Sequence, residues 1–232
     1  MKEKKKIAGL IFAAFCLGGF GADRTMAYMS DKDQVKNHLE FVGENGLNAV
    51  LTEPAWRPEN GLKVIPNTVI PKNPQVTNTS EIDLDELVAL KCEFIYTAEC
   101  PDRTKAGRIL SAQDMASVEE VFHIDYNSDD PGKGDWVRFE GQKKEAAVQC
   151  FYYKKTLKRN YPGTGDTTEP LFTELYIPKT VNNKQFAKIQ AMGGFDIRIS
   201  GNVLQEMTGE TYFGLNCAED ACRSGLFALH TE

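Results

Sequence analysis

Histidine is the scarcest chemistry-bearing residue in this 232-residue chain, with only His38, His123 and His230, all far apart. No HExxH stretch sets two imidazoles and a glutamate on one helical face, so the usual zinc-peptidase signature is missing. No CxxC pair occurs, which argues against a thiolate zinc site. A GxSxG elbow is lacking, and no cysteine has a histidine near it in sequence, so neither common nucleophile arrangement is written here. Gly132-Lys133-Gly134 and Gly163-Thr164-Gly165 lack the strand-to-helix setting of a phosphate loop and read as turns. Positive charge is not in excess: 27 Lys and Arg against 33 Asp and Glu give −6 at pH 7. That balance repels phosphate backbones and anionic headgroups, so neither nucleic acid nor a membrane surface is the expected partner. Solenoid repeats and low-complexity linkers are also absent, which leaves one sizeable core as the simplest organisation.

The chain does have an N-terminus patterned for export. Lys2, Lys4, Lys5 and Lys6 form a basic start, and the 16 residues from Ile7 to Ala22 carry no charge. Thr25 and Ala27 then supply small residues at the positions a signal peptidase inspects, so residues 1–27 are expected to be cut from Tyr28. The alternative is an uncleaved anchor, but a membrane span needs about 20 apolar residues. Gly18, Gly19 and Gly21 weaken such a helix by about 1 kcal/mol each. Cleavage removes a net +3 and leaves an acidic mature chain at −9. Cys16 would leave with the signal, and Phe15 before it rules out a lipobox.

Cys92, Cys100, Cys150, Cys217 and Cys222 remain, an odd number, and an exported chain could pair some of them. Cys217 and Cys222 lie close enough to close a small loop. Cys92 and Cys150 both fall on strand faces read as inward and could meet across the sheets.

The dominant pattern is alternation with period two, the mark of strands with one buried face. Val88, Leu90, Cys92, Phe94 and Tyr96 alternate with Lys91 and Glu93, and Phe195, Ile197, Ile199 and Val203 with Asp196, Arg198, Ser200 and Asn202. Leu47, Ala49 and Leu51, then Val148, Cys150 and Tyr152, then Leu171, Leu175 and Ile177 form further faces. Turn clusters separate them, including Glu59-Asn60-Gly61, Pro71-Lys72-Asn73-Pro74 and Asp129-Asp130-Pro131-Gly132. Short strands at this spacing predict an all-β fold, an antiparallel β-sandwich, with one or two short helices. One helix is expected over 111–122, where Met115, Val118 and Phe122 recur at helical spacing and Ser117 with Glu120 resembles a capping box. The folded unit is expected over 28–208, with 209–232 as a C-terminal tail that could dock loosely.

An ordered set of segments resembles one family: Thr25-Met26-Ala27-Tyr28, Ser30-Asp31-Lys32-Asp33, Leu51-Thr52-Glu53-Pro54-Ala55-Trp56, Ile65-Pro66-Asn67-Thr68 and Lys72-Asn73-Pro74-Gln75-Val76-Thr77-Asn78-Thr79. Gly134-Asp135-Trp136, Phe151-Tyr152-Tyr153, Thr168-Glu169-Pro170-Leu171-Phe172 and Val203-Leu204-Gln205 follow in order. Together they resemble the TasA/camelysin group of Gram-positive bacteria, exported with SipW-dependent-type signals. Asp23-Arg24, the five cysteines and the terminal segment depart from that pattern. The resemblance implies a jelly-roll-like sandwich that goes to the cell surface or the extracellular matrix of a biofilm. There, some relatives form fibres by donor-strand complementation, and self-association or other matrix proteins are the implied partners. Camelysin relatives imply the alternative of an extracellular metalloendopeptidase; a monomeric adhesin is a third reading.

Strand donation can be read against the residues themselves. Val35, Leu39 and Phe41 share one parity, while Lys36, His38 and Glu40 share the other, as a donated strand with alternate pocket-filling side chains requires. An ordinary first strand paired within its own sandwich has the same pattern. No catalytic residue is assigned. Asp125, Asn127 and Asp129 match the opening of a calcium loop, but Asp130 stands where a glycine is needed and Trp136 where a glutamate belongs, so a solvated turn explains the same letters. Trp56, Trp136, Tyr152 and Tyr153 could form a ligand surface or could pack in the core.

Overall fold

The computed structural model describes residues 48–57, 60, 64–128, 134–143, 145–206, 217–224 and 227. Among the described residues nine strands form three antiparallel sheets. β1 (Ala49–Thr52) pairs with β3 (Gln75–Asn78). A three-stranded sheet runs in the order β2 (Thr68–Pro71), β8 (Phe172–Ile177), β5 (His123–Tyr126). The largest sheet has the order β6 (Trp136–Arg138), β7 (Val148–Tyr153), β4 (Glu86–Tyr96), β9 (Phe195–Gln205). From β4 onward the chain crosses repeatedly between the two larger sheets. The expected antiparallel sandwich is what the chain forms.

The core lies between the sheets because the alternating residues of both point there. β4 and β9 pair over eleven residues, from Glu86 opposite Gln205 to Tyr96 opposite Phe195. Val88, Leu90, Cys92 and Phe94 of β4 and Phe195, Ile197, Ile199 and Val203 of β9 meet Ile70, Phe172, Leu175 and Ile177 of the smaller sheet. Phe195 packs edge-on to Phe122 at 5.0 Å and tilted to Phe94 at 6.1 Å between ring centroids. Each such side chain contributes about 1.5–3 kcal/mol by leaving water.

β4 and β7 are buried on both faces, and this corrects the expected parity of β7. Phe151 and Tyr153 enter the main core, whereas Cys150 and Tyr152 join a second cluster on the outer face. That cluster also holds Leu87, Ala89, Ala218, Ala221 and Phe227. Every residue of β7 after Val148 is buried, so alternation could not tell inner from outer.

Three short helices are described rather than one or two. α1 (Ala112–Glu119) lies inside the expected span, but its N-cap is Ser111, whose Oγ accepts from the Asp114 amide. Ser117 instead donates to the Gln113 carbonyl one turn back, and Glu120 ends the helix. The capping-box letters were thus at the wrong end. A true capping box, Asn182 with Gln185, starts α2 (Asn183–Ala191). α3 (Ala218–Arg223) lays Ala218 and Ala221 on the outer face of the large sheet.

Candidate functional site

The signal-peptidase residues Thr25, Ala27 and Tyr28 and the donor-strand residues Val35, Leu39 and Phe41 lie outside the described residues, as do His38, His230 and Asp129. His123 opens β5 and is exposed. Asp125 is exposed on the same strand, while Asn127 donates its side-chain amide to the Pro170 carbonyl at 2.6 Å and its backbone N–H to Leu171 at 2.8 Å. Among the described residues no three His, Cys, Asp or Glu side chains stand close enough to hold one metal ion.

The four candidate surface aromatics are core residues. Trp136 is 1% exposed, packs on Tyr153 at 5.0 Å and donates its indole N–H to the Glu169 carbonyl. Trp56 and Tyr152 are also buried, so none of the four offers a binding face. The expected disulfides are corrected too: all five cysteines are free. Lys91, not Cys92, stands opposite Cys150, which sends the Cys92 and Cys150 side chains to opposite faces of one sheet. Cys217 and Cys222 flank and join α3, and Cys217 donates to Asp220.

A cleft of about 260 Å³ opens between α1, β5 and the β6–β7 hairpin. Phe94, Met115, Val118 and Phe122 form its apolar wall, and His123, Glu119, Glu145 and Arg138 supply the polar groups. The Arg138 guanidinium lies over the Tyr126 and Phe151 rings at 5.1 and 4.7 Å and donates to Gln149. Burial, reinforced by the nearby Glu145 charge, raises the Glu119 carboxyl above its ordinary value. The cleft falls below the usual range of small-ligand pockets, about 300–1,000 Å³. Its ionisable groups include no nucleophile paired with a base.

Two buried polar groupings stand out more clearly. In the first, Lys72 donates its Nζ to Glu53 Oε2, with side chains only 2% and 1% exposed. The Lys72 ammonium also lies 5.5 Å from the Trp56 ring centroid. Main-chain bonds fix both ends: Trp56 N–H to the Glu53 carbonyl and Lys72 N–H to the Thr173 carbonyl, each 3.0 Å. The turn cluster around Lys72 was expected between strands, and the Lys72 side chain is interior. A signal for this did exist in the sequence, because each residue extends an alternation by one step: Ala49, Leu51, Glu53 along β1 and Ile70, Lys72 along β2 are all buried. Opposite charges at the inward ends of two strands point to a buried pair.

The second grouping centres on Glu86, which is fully buried. Its Oε1 accepts from the Ser80 hydroxyl, which in turn accepts from the Asn48 amide. Arg159 donates to the Ser80 and Gly163 carbonyls, and Asn78 bridges the Leu84 and Leu157 carbonyls. Burial pushes the Glu86 carboxyl up to about 7, against the opposing pull of the Ser80 hydroxyl and the Arg159 charge. This network ties Asn48, the first described residue, to the start of β4. Nothing in the letters around Glu86 marked it, since a carboxylate before an apolar run reads as a solvated strand end. Comparison with protein-family models, curated proteins and solved structures gives no match for this chain.

Proposed function

We propose that this protein is an exported structural subunit of the cell surface or extracellular matrix, which associates by adding a strand to a neighbour's sheet. The observation that carries the reading is the open sandwich: among the described residues the sheets end in strands rather than closing into a barrel. An end strand is where an added strand gains a main-chain ladder while alternate side chains fill pockets. The alternating segment with Val35, Leu39 and Phe41 is the donor in this reading, freed by cleavage between Ala27 and Tyr28. An acidic surface suits the role, because self-repulsion keeps unassembled subunits soluble.

The test compares two purified proteins by negative-stain microscopy and light scattering. The chain beginning at Tyr28 is expected to form filaments, and the uncleaved Ala27→Arg precursor is not. A Leu39→Asp change in the processed chain is expected to abolish filaments while leaving the thermal transition of the monomer in place. Monomers from the processed chain would reject strand addition.

A further inference from the structure

We propose that Lys72 and Glu53 condense to an intramolecular amide inside the core, so that this protein carries its own covalent cross-link. The geometry assigns the site. Lys72 Nζ is hydrogen-bonded to the Glu53 carboxyl, both side chains are shut off from solvent, and both backbones are pinned by main-chain bonds. The two residues lie 19 positions apart, one just past β1 and the other just past β2.

Removal from water weakens the preference of this pair for its charged forms. An isolated ammonium and carboxylate are costly to bury, and moving one proton from Nζ to the carboxylate leaves an amine and an acid that an apolar core tolerates. Those are the two reactants of amide formation. The Nζ lone pair attacks Glu53 Cδ and forms the new N–C bond. The C–O bond to the acid hydroxyl then breaks, and that hydroxyl leaves as water with one hydrogen from nitrogen. No oxidant, reductant or other reactant is consumed. Fixing amine and acid in contact replaces a bimolecular encounter by an intramolecular step, for which effective molarities reach about 10⁵ M or more. Exclusion of water from the product opposes hydrolysis.

The position gives the bond a purpose in the fold. β1 is held by β3 and β2 by β8, so the amide would tie two separate sheets through side chains. A chain that must stay folded outside the cell without a disulfide would gain from such a tie. The five free cysteines supply no alternative cross-link.

The experiment is peptide mapping of the denatured full-length protein by trypsin and tandem mass spectrometry. Trypsin should fail to cut after Lys72 and should yield segments 37–63 and 64–91 joined, lighter by one water than their sum. Lys72→Arg, whose guanidinium is a poor nucleophile, should lose the joined product completely and restore the sequence mass. An unlinked Lys72 that trypsin cuts, with the full sequence mass, would overturn the proposal, as would water loss mapped to any other residues. The wild-type map decides the matter even where the variant fails to fold, and it is independent of filament formation.

Discussion

Ser80 donates its hydroxyl hydrogen to Glu86 Oε1 across 2.7 Å, at a point where neither side chain meets solvent. One neutral hydroxyl and a neighbouring guanidinium do not offset the loss of hydration, so the folded protein holds the Glu86 proton more tightly than the unfolded chain does. The carboxyl moves from an ordinary 4.5 to about 7. A raised folded value means that the stabilising effect of proton binding is fully present below the unfolded value and is lost as pH rises through the folded one.

Stability is therefore expected to fall between pH 4.5 and about 7 by roughly 3 kcal/mol from this residue alone. Glu86→Gln should flatten that part of the urea-unfolding profile and gain most above pH 7. An unchanged slope in the variant would show that the proton sits elsewhere.

Two glycines with positive φ are expected to respond very differently to alanine. Gly193 has φ +80°, and a Cβ there would stand 2.6 Å from the Glu99 carbonyl oxygen, in rigid backbone. Gly107 has φ +76° and open space around its Cβ position. Left-handed backbone costs an L-residue about 1–2 kcal/mol, and overpacking adds about 1–3 more. Gly107→Ala should thus lose about 1 kcal/mol and Gly193→Ala about 3, measured by denaturant unfolding. Equal losses would mean that the Glu99 turn gives way.

Oxidation is expected to leave Cys92 and Cys150 unlinked, because one sheet separates their side chains. Burial pushes the Cys92 thiol up to about 12, so it is also a poor thiolate source. Treatment of the native protein with diamide should yield no Cys92–Cys150 peptide by non-reducing mass spectrometry. Alkylation at pH 8 should reach half-buried Cys217 and Cys222 before buried Cys92, Cys100 and Cys150. A Cys92–Cys150 product would require a rebuilt β4–β7 pairing.

The alternation of β9, buried on one face and half-exposed on the other, was enough to predict an antiparallel sandwich, because a strand with one buried face must write that face at every second residue. Sequence alternation also placed Val88, Leu90, Ile197 and Val203 in the core. It failed where both faces are buried: along β7, Cys150 and Phe151 are equally hidden, and only the packing of α3 on one face and the second sheet on the other separates them. Helix starts failed for a different reason, since Ser117 with Glu120 and Asn182 with Gln185 spell similar signals and only the chain's path decides which one begins a helix.

By itself, then, the sequence determined the sandwich and its main inward faces, because these rest on local periodicity and composition. Tertiary structure alone decided that Glu53 meets Lys72, that Glu86 keeps its proton near neutral pH, and that Cys92 and Cys150 lie on opposite faces of one sheet. Each of those outcomes depends on which distant strands share an interior, and the cost of burying a charge is set by that interior rather than by its neighbours in the chain.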